Sequence, residues 1–220
     1  MHFSDLTPLL DPARLPYTSG IERLPDGVLH VAVLTRMPGV TPAMFEWWFA
    51  RYLQTTEHYR RWHPRDHLWM DWEDKSPESH IGAKHLVHEL IGGKLQKLRI
   101  AFEAPEEFFG DALAAHPEAV AVCARPGLLG HPIELGRLVH LALPTSWGCE
   151  LHSRFWLGMV HGTGRMGSVV DRIANRSWLR KIAASDQAGR ALQVHCHEEM
   201  TTLAGFLPEL FAAETGPSGV

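Results

Sequence analysis

Hydrophobic residues recur in short runs through the middle of the chain, and turn residues separate these runs. The runs cover residues 28–36, 68–72, 84–91, 94–102, 119–124, 135–143 and 150–159. Runs of this length, bounded by turn signals, are typical of β-strands. Gly92-Gly93 lies between two of them and predicts a tight hairpin. The pattern therefore predicts an antiparallel sheet of about seven strands.

A helix interrupts the strand pattern after the first run. Thr41-Pro42 is a favourable helix start, with threonine at the N-cap and proline at the first helical position. From about Ala43 the residues are apolar over much of the helix circumference, so we expect a mostly buried helix. His63-Pro64 predicts its end, because a residue before proline avoids the helical conformation.

Two further helical segments are predicted after the last strand, at residues 168–184 and 187–207, with Pro208 interrupting the second. A strand, a helical region, an antiparallel sheet and a long final helix occur in the order of an α+β helix-grip (START-like) fold. In that fold a curved sheet wraps around the last helix, and a ligand cavity lies between them.

Length and composition favour one domain. The chain has 220 residues, of which 45% are hydrophobic and 21% charged, enough to bury a substantial core. Residues 1–27 contain four prolines and little periodicity, so we expect an irregular N-terminal arm. Residues 28–213 are predicted to form a single helix-grip domain, and residues 214–220 a disordered tail.

Charge and cysteine content narrow the class of protein. A formal net charge of -4 gives no basic field for nucleic acid. No run approaches the roughly 18 apolar residues of a membrane span, and no signal peptide is evident, so we expect a cytoplasmic protein with no membrane partner. The three cysteines form no CxxC pair, which fits a reducing compartment and argues against a cysteine-bound metal.

His195 and Glu199 are four residues apart in the predicted C-terminal helix and therefore share one face. Their neighbours on this face are largely apolar: Leu192, Thr202, Leu203 and Phe206. Two ionisable groups thus point towards the core. A buried carboxylate must be neutralised, paired or bound to a metal.

Two other segments supply similar groups. His63 is held in a fixed direction by Pro64 and by the anchoring Trp62, and Glu89 shares one face of a strand with apolar residues. Together with His195 and Glu199 they make two imidazoles and two carboxylates. That set suits zinc, with iron, manganese or cobalt as substitutes. The His-x-x-x-Glu spacing alone is more typical of a salt-bridged or partly exposed pair.

Five motifs, in this order, resemble the family of 2,4-diacetylphloroglucinol hydrolase and phloretin hydrolase over roughly residues 28–207. The motifs are Glu46-Trp47-Trp48-Phe49, Tyr59-x-x-Trp62-His63-Pro64-x-Asp66-His67, Glu89 ahead of Gly92-Gly93, Ser153-Arg154-Phe155-Trp156 and His195-x-x-x-Glu199.

The resemblance implies a helix-grip fold and a zinc ion held by His63, Glu89, His195 and Glu199. It further implies hydrolysis of a carbon-carbon bond between an acyl group and an electron-rich phenol ring. The substrate would be a small phenolic ketone such as an acylphloroglucinol or a phloretin-like compound, or a 1,3-diketone. The family also suggests a homodimer.

Matching the motifs assigns further roles. His140 and Asp66 are the candidates for proton transfer, and Thr55, Asp66 and Phe155 occupy substrate-binding positions. Asp66 stands where the phloroglucinol enzyme has asparagine, and Thr55 and Phe155 stand where it has tyrosines. These departures remove phenol donors and add a charge, so the acyl compound cleaved here is expected to differ.

Other functions receive less support. A non-catalytic helix-grip carrier of an apolar or polyketide ligand has no need for four converging ionisable groups. Residues 162–167 match GxGxxG, but no βαβ unit follows, so we interpret them as a loop over the cavity mouth. A serine or cysteine hydrolase is disfavoured because GxSxG is absent and Cys196 lacks an activating neighbour.

Overall fold

One antiparallel sheet organises the computed structural model, which describes residues 1–162, 171–172 and 174–216. Within these residues the sheet has eight strands in the order β1-β2-β8-β7-β6-β5-β4-β3. The strands are β1 Gly20–Arg23, β2 Leu29–Pro38, β3 His67–Glu73, β4 Lys84–Ile91, β5 Lys94–Glu103, β6 Val120–Leu128, β7 Ile133–Thr145 and β8 Gly148–Gly162. The seven predicted runs correspond to β2 through β8, and the hairpin glycines have the positive φ angles (60° and 74°) of a tight turn.

The helices surround this sheet. They are α1 Pro42–Trp47, α2 Thr56–Trp62, α3 Glu106–Phe109, α4 Ser177–Ala183 and α5 Asp186–Thr215. A π-helical turn, Trp48–Tyr52, follows α1. The predicted helical segment at 168–184 lies partly outside the described residues, as does most of the GxGxxG loop.

The first predicted helix is divided in two, contrary to expectation. Thr41 caps α1 as predicted, since its side chain accepts a hydrogen bond from the Met44 N–H. After the π-helical turn, Leu53 is extended and Thr55 caps a new helix by accepting from the His58 N–H. The second cap turns the chain, so that α2 leads directly into the His63 segment.

The last helix runs through Pro208 to Thr215, so the predicted interruption at Pro208 was wrong. Proline removes one backbone hydrogen bond there, which costs about 3 kcal/mol. The buried side chains of Leu203, Leu207 and Leu210 continue the apolar face on both sides of Pro208. Their burial outweighs that cost.

Helix α5 packs on the inner face of the sheet, closest to β2. Gly189 permits this approach, because a Cβ there would lie 2.6 Å from Leu29 Cδ2. The inner core between the sheet and the helices contains Phe45, Trp48 and Trp62 among its buried residues. This arrangement is the predicted helix-grip fold, and it turns one face of α5 towards the strands.

The N-terminal arm covers the outer face of the sheet. Leu6, Leu9 and Leu10 pack there with Trp156 in a second apolar cluster. The arm also contains β1, which pairs with β2. Residues 20–23 are therefore a regular strand, contrary to the expected irregular arm. No helix in the described part of the chain is long and apolar enough to cross a membrane.

Candidate metal centre

Six buried ionisable side chains meet between α5 and the ends of β3 and β4. His63 and Asp66 lie in the turn after α2, and His67 begins β3. Glu89 lies on β4 directly opposite His67 in the strand register, while His195 and Glu199 come from α5. Each of the six is 8% exposed or less. The three imidazole rings have centroids 5.0 to 5.5 Å apart.

His67 is oriented by a backbone carbonyl. Its Nδ1 lies 2.9 Å from the Tyr59 carbonyl oxygen, so Nδ1 carries the proton and donates it. In the neutral ring, Nε2 is therefore the nitrogen with the lone pair. This atom lies 3.4 Å from a Glu199 oxygen and 3.8 Å from a Glu89 oxygen, and it has no hydrogen-bond partner within the described chain.

Glu89 is held by Tyr59. The Tyr59 hydroxyl donates to Glu89 Oε2 at 2.6 Å, and the Tyr59 ring stacks on His67 with centroids 3.8 Å apart. Burial favours the protonated carboxyl, but His195, His67 and the Tyr59 hydroxyl outweigh it and lower the pKa of Glu89. Burial and the Glu89 charge raise the pKa of Tyr59. Glu89 is therefore ionised and Tyr59 remains a hydrogen-bond donor.

His195 lies at the centre of the group. Its Nε2 is 3.8 Å from Glu89 Oε2, and its Nδ1 is 3.5 Å from Asp66 Oδ2. Burial opposes protonation, but the carboxylates of Glu89, Glu199 and Asp66 prevail and raise the pKa of His195 to about 9. Without a metal, a proton on this ring balances the carboxylates.

His63 differs from His67 in its hydrogen bonds. Its Nδ1 accepts from the Asp66 backbone N–H at 3.3 Å. Burial and the neighbouring His195 lower the pKa of His63, so the ring is neutral and its single proton lies on Nε2. Nε2 is 3.5 Å from Glu198 Oε2 and 3.8 Å from Asp66 Oδ2. His63 thus directs an N–H at carboxylates, whereas His67 directs a lone pair at the cluster.

Asp66 is paired with Arg65. The guanidinium donates to both carboxylate oxygens, at 2.9 and 3.0 Å, and these bonds lower the pKa of Asp66. Arg65 also donates to Glu198 at 2.6 Å. Outside this network lies a surface pocket of about 440 Å³, lined in part by His63, Arg65 and Glu198.

His140 projects from β7 into the same interior. Its Nδ1 lies 2.7 Å from Ser153 Oγ, and the rings of Phe45 and Phe155 meet it edge-on. Burial lowers the pKa of His140 to about 4, against the opposing charge of Glu199. His140 is thus close enough to be influenced by the Glu199 charge, and Phe155 contacts the His140 ring; the catalytic role of His140 and the substrate-binding role of Phe155 stay predictions.

Thr55 lies elsewhere. It is exposed, and its hydroxyl oxygen caps α2. The structure therefore does not bring it to the cluster, and the predicted substrate-binding role has no support from its position. The reason is local, because the new helix start requires a capping residue there.

His67 is not among the four ligands predicted from the sequence. The available signal was strand pairing, because a strand starting at His67 and running antiparallel to β4 places this ring opposite Glu89. The four predicted ligands do meet in one region. However, His63 is in close contact with neither Glu89 nor Glu199 in the described chain, whereas His67 Nε2 lies 3.8 Å from a Glu89 oxygen and 3.4 Å from a Glu199 oxygen.

The donor atoms fit a divalent metal. Ligand atoms of His67, His195 and Glu199 lie within 4.8 Å of one another, as do those of His63, Asp66 and His195. Buried nitrogens without hydrogen-bond partners in the described residues line both groups. Such atoms require a ligand, ion or water. Nitrogen and oxygen donors of this kind suit zinc.

Comparisons with known proteins identify the family to which the chain is similar. The family model described as DAPG hydrolase PhiG domain matches residues 1–212. A 2,4-diacetylphloroglucinol hydrolase of Pseudomonas sp is 27% identical over 222 residues, which covers 94% of this chain and 75% of that protein. The phloretin hydrolase of Eubacterium ramulus is 28% identical over 204 residues, covering 86% of this chain and 69% of that protein.

Among solved structures, Ara h 8.0201 has a TM-score of 0.50 at 10% identity, over 83% of this chain and 99% of that chain. This similarity supports the helix-grip fold alone. The family assignment rests on the sequence matches, which span almost the whole chain. The protein belongs to the DAPG hydrolase PhiG domain family.

Proposed function

We propose that this protein is a zinc-dependent hydrolase that cleaves the carbon-carbon bond between an acyl group and a phenol ring. The observation that carries the proposal is the convergence of buried imidazoles and carboxylates on one point. The named relatives, hydrolases of 2,4-diacetylphloroglucinol and phloretin, support the reaction class. A carrier of apolar ligands has no use for such a cluster.

The geometry favours His67, Glu89, His195 and Glu199 as the residues that hold the metal. His67 Nε2 offers a lone pair 3.4 Å from Glu199 and 3.8 Å from Glu89. His63, the residue predicted from the sequence, uses Nδ1 as an acceptor for the Asp66 N–H and keeps its proton on Nε2. Binding through His63 would require breaking that bond or moving the proton.

A bound zinc ion supplies a Lewis acid that polarises the acyl carbonyl and lowers the pKa of a nearby water. In the overall reaction, water adds to the acyl carbonyl carbon and the bond from that carbon to the ring breaks. The electron pair passes to the ring carbon, where ortho and para oxygens stabilise it, and that carbon takes up a proton. The products are a carboxylic acid and the deacylated phenol.

His140 is the residue we assign to the phenol. Because its pKa is about 4, it is neutral near pH 7 and can donate a hydrogen bond to a ring oxygen. It could pass that proton to the ring carbon only while its other ring nitrogen takes up a proton in exchange. Phe45 and Phe155 meet the His140 ring edge-on and supply apolar walls for an aromatic ring. An acylphloroglucinol or a phloretin-like ketone fits these requirements. A 1,3-diketone is the non-aromatic alternative, in which the electron pair passes to an enol.

Cysteine chemistry is disfavoured by the structure. Burial raises the pKa of Cys196 well above its usual range, so its thiol is a poor nucleophile at neutral pH. Cys196 is also fully buried.

The proposal is tested by metal analysis together with an activity screen. The wild-type chain and His195→Ala are purified in parallel, their zinc content is measured by mass spectrometry, and acid release is followed from acylphloroglucinols, phloretin and 1,3-diketones. We expect about one zinc per wild-type chain, none in the variant, and acid release by the wild type only. Folded wild-type protein that binds no zinc and releases no acid would instead support a carrier.

A further inference from the structure

The carboxylate of Asp66 lies against the side of His195 that faces away from Glu89. Its Oδ2 atom is 3.5 Å from His195 Nδ1, while His195 Nε2 is 3.8 Å from Glu89 Oε2. The two ring nitrogens of His195 thus have different surroundings. One faces the proposed metal ligands, and the other faces a carboxylate that is not among them.

This division determines which nitrogen of His195 carries a proton. If Nε2 provides its lone pair to a metal, the neutral ring must keep its proton on Nδ1. This nitrogen is buried and has no hydrogen-bond partner in the described part of the chain, and Asp66 Oδ2 lies 3.5 Å from it. Asp66 is the carboxylate placed to accept a hydrogen bond from it. A carboxylate in this position fixes the tautomer and orientation of a ligating imidazole and raises its basicity.

Asp66 is itself held in place by Arg65. The guanidinium donates to both Asp66 oxygens and also to Glu198, which lies three residues after His195 on α5. The turn after α2 is thereby tied to the helix that carries His195 and Glu199. The two hydrogen bonds from Arg65 fix the orientation of the Asp66 carboxylate beside His195.

The same contacts argue against a second metal on His63, Asp66 and His195. Arg65 already places a cation on Asp66, and the proton on His63 Nε2 points towards that carboxylate. Another divalent ion there would have to displace the guanidinium and that proton.

We infer that Asp66 is a positioning residue that acts through His195, and that Arg65 holds Asp66 in place for this role. The inference rests on the proposed function, because it requires a metal on His195. It differs from the sequence prediction, in which Asp66 transfers a proton or contacts substrate. Here Asp66 affects how tightly the metal is held.

The experiment measures zinc affinity in full-length wild type, Asp66→Ala, Asp66→Asn and Asp111→Ala by competition with a chromophoric chelator. Asp111 is an exposed aspartate with no hydrogen bond or ion pair in the described structure, so its variant is the matched control. We expect Asp66→Ala to bind zinc about 10- to 100-fold more weakly than wild type. Asp66→Asn, which keeps an acceptor oxygen, should lose less.

A second measurement reports the hydrogen bond directly. In zinc-loaded protein with ¹⁵N-labelled histidine, the His195 Nδ1–H should give an exchange-protected, low-field proton resonance. This resonance should shift in Asp66→Asn and disappear in Asp66→Ala while remaining in Asp111→Ala. If Asp66 had a purely structural role, Asp66→Ala would lower the stability of the protein, but the molecules that stay folded would still show the His195 Nδ1–H resonance.

The outcomes separate this inference from the proposed function. Equal zinc affinity in Asp66→Ala and wild type, with the resonance retained, overturns the positioning role but leaves the metal site intact. If that variant also lost turnover at saturating zinc, Asp66 would return to its predicted part in proton transfer. A folded wild-type chain that binds no zinc overturns both proposals.

Discussion

The two faces of the sheet each bury a group of ionisable side chains, and the groups differ in their charge balance. The inner group brings three imidazoles together with Asp66, Glu89 and Glu199. The outer group, beneath the N-terminal arm, contains Arg154, His152 and His30. Arg154 donates to the Ser153 carbonyl oxygen at 2.8 Å and has no carboxylate partner in the described chain.

This difference appears in the histidines. Burial and the charge of Arg154 lower the pKa of His152 to about 4, and burial likewise lowers that of His30 to about 3. The pKa of His195 is instead raised to about 9, since carboxylates outweigh its burial. Burial of polar groups alone therefore does not indicate a metal site. Several carboxylates around one buried imidazole do indicate such a site, because their negative charge can be balanced by a bound cation.

The largest effect is expected from replacing His67, one of the three histidines of the inner group, and comparing the result with the same substitution at His63. His67→Ala should abolish stoichiometric zinc binding and lower acid release by about a thousandfold or more, because it removes a lone pair from the metal. His63→Ala should retain the metal. Zinc content and turnover of the two variants decide the matter, and loss of zinc in His63→Ala alone would restore the ligand set predicted from the sequence.

On the outer face, Trp156→Ala should lower stability and leave the metal site unchanged. Trp156 is fully buried, its ring meets Phe3 edge-on, and its indole N–H donates to the Met1 carbonyl at 3.0 Å. Removing it should cost about 3 to 5 kcal/mol in the free energy of unfolding. Urea denaturation with parallel zinc analysis tests this. A variant that lost zinc but kept its stability would show that the outer cluster belongs to the site.

The sequence predicted the parts of the fold that depend on local patterns. Alternation and turn glycines gave β2 through β8, and Thr41-Pro42 gave the start of α1. β1 has only four residues, and its place in the sheet depends on pairing with β2 rather than on its own composition. Pro208 misled the prediction because distant packing of α5 stabilises the helix on both sides of it.

The site was predictable as a group of residues and less so in its atomic roles. Helical spacing placed His195 and Glu199 on one buried face, and both are buried on α5. The choice between His63 and His67 as the metal ligand depends on two hydrogen bonds. His63 Nδ1 accepts one from the Asp66 N–H, and His67 Nδ1 donates the other to the Tyr59 carbonyl oxygen. Neither bond follows from a sequence pattern, because each depends on how the turn after α2 closes. His63 as a ligand therefore remains a prediction, to be tested against His67.

The two groups should also respond oppositely to pH in metal-free protein. His195 has a folded pKa of about 9 against an ordinary value of 6.5, so its stabilisation is present below pH 6.5 and is lost as the pH rises through 9. His30 and His152 have lowered pKa values, so the unfolded chain binds more protons below pH 6.5 and stability falls as the pH is lowered.

Denaturation of chelator-treated protein across pH 4 to 10 measures both effects, and each titrating histidine contributes on the order of one proton. His195→Gln should flatten the alkaline decline, and His30→Gln should reduce the acid decline. An unchanged alkaline decline in His195→Gln would mean that the carboxylates around it are not balanced by its proton.

The smallest effect concerns a polar residue that belongs to neither group. Thr55 is exposed, and its hydroxyl oxygen accepts a hydrogen bond from the His58 N–H at the start of α2. Thr55→Ala should lower the free energy of unfolding by about 1 kcal/mol, the usual cost of losing an N-cap. Thr55→Ser keeps the capping oxygen and should restore most of that loss.

The family resemblance instead assigns Thr55 to the substrate, and then Thr55→Ala would raise KM for the acyl phenol without changing stability. Because the two accounts differ in which quantity moves, urea denaturation and steady-state kinetics on these two variants separate a helix cap from a substrate contact.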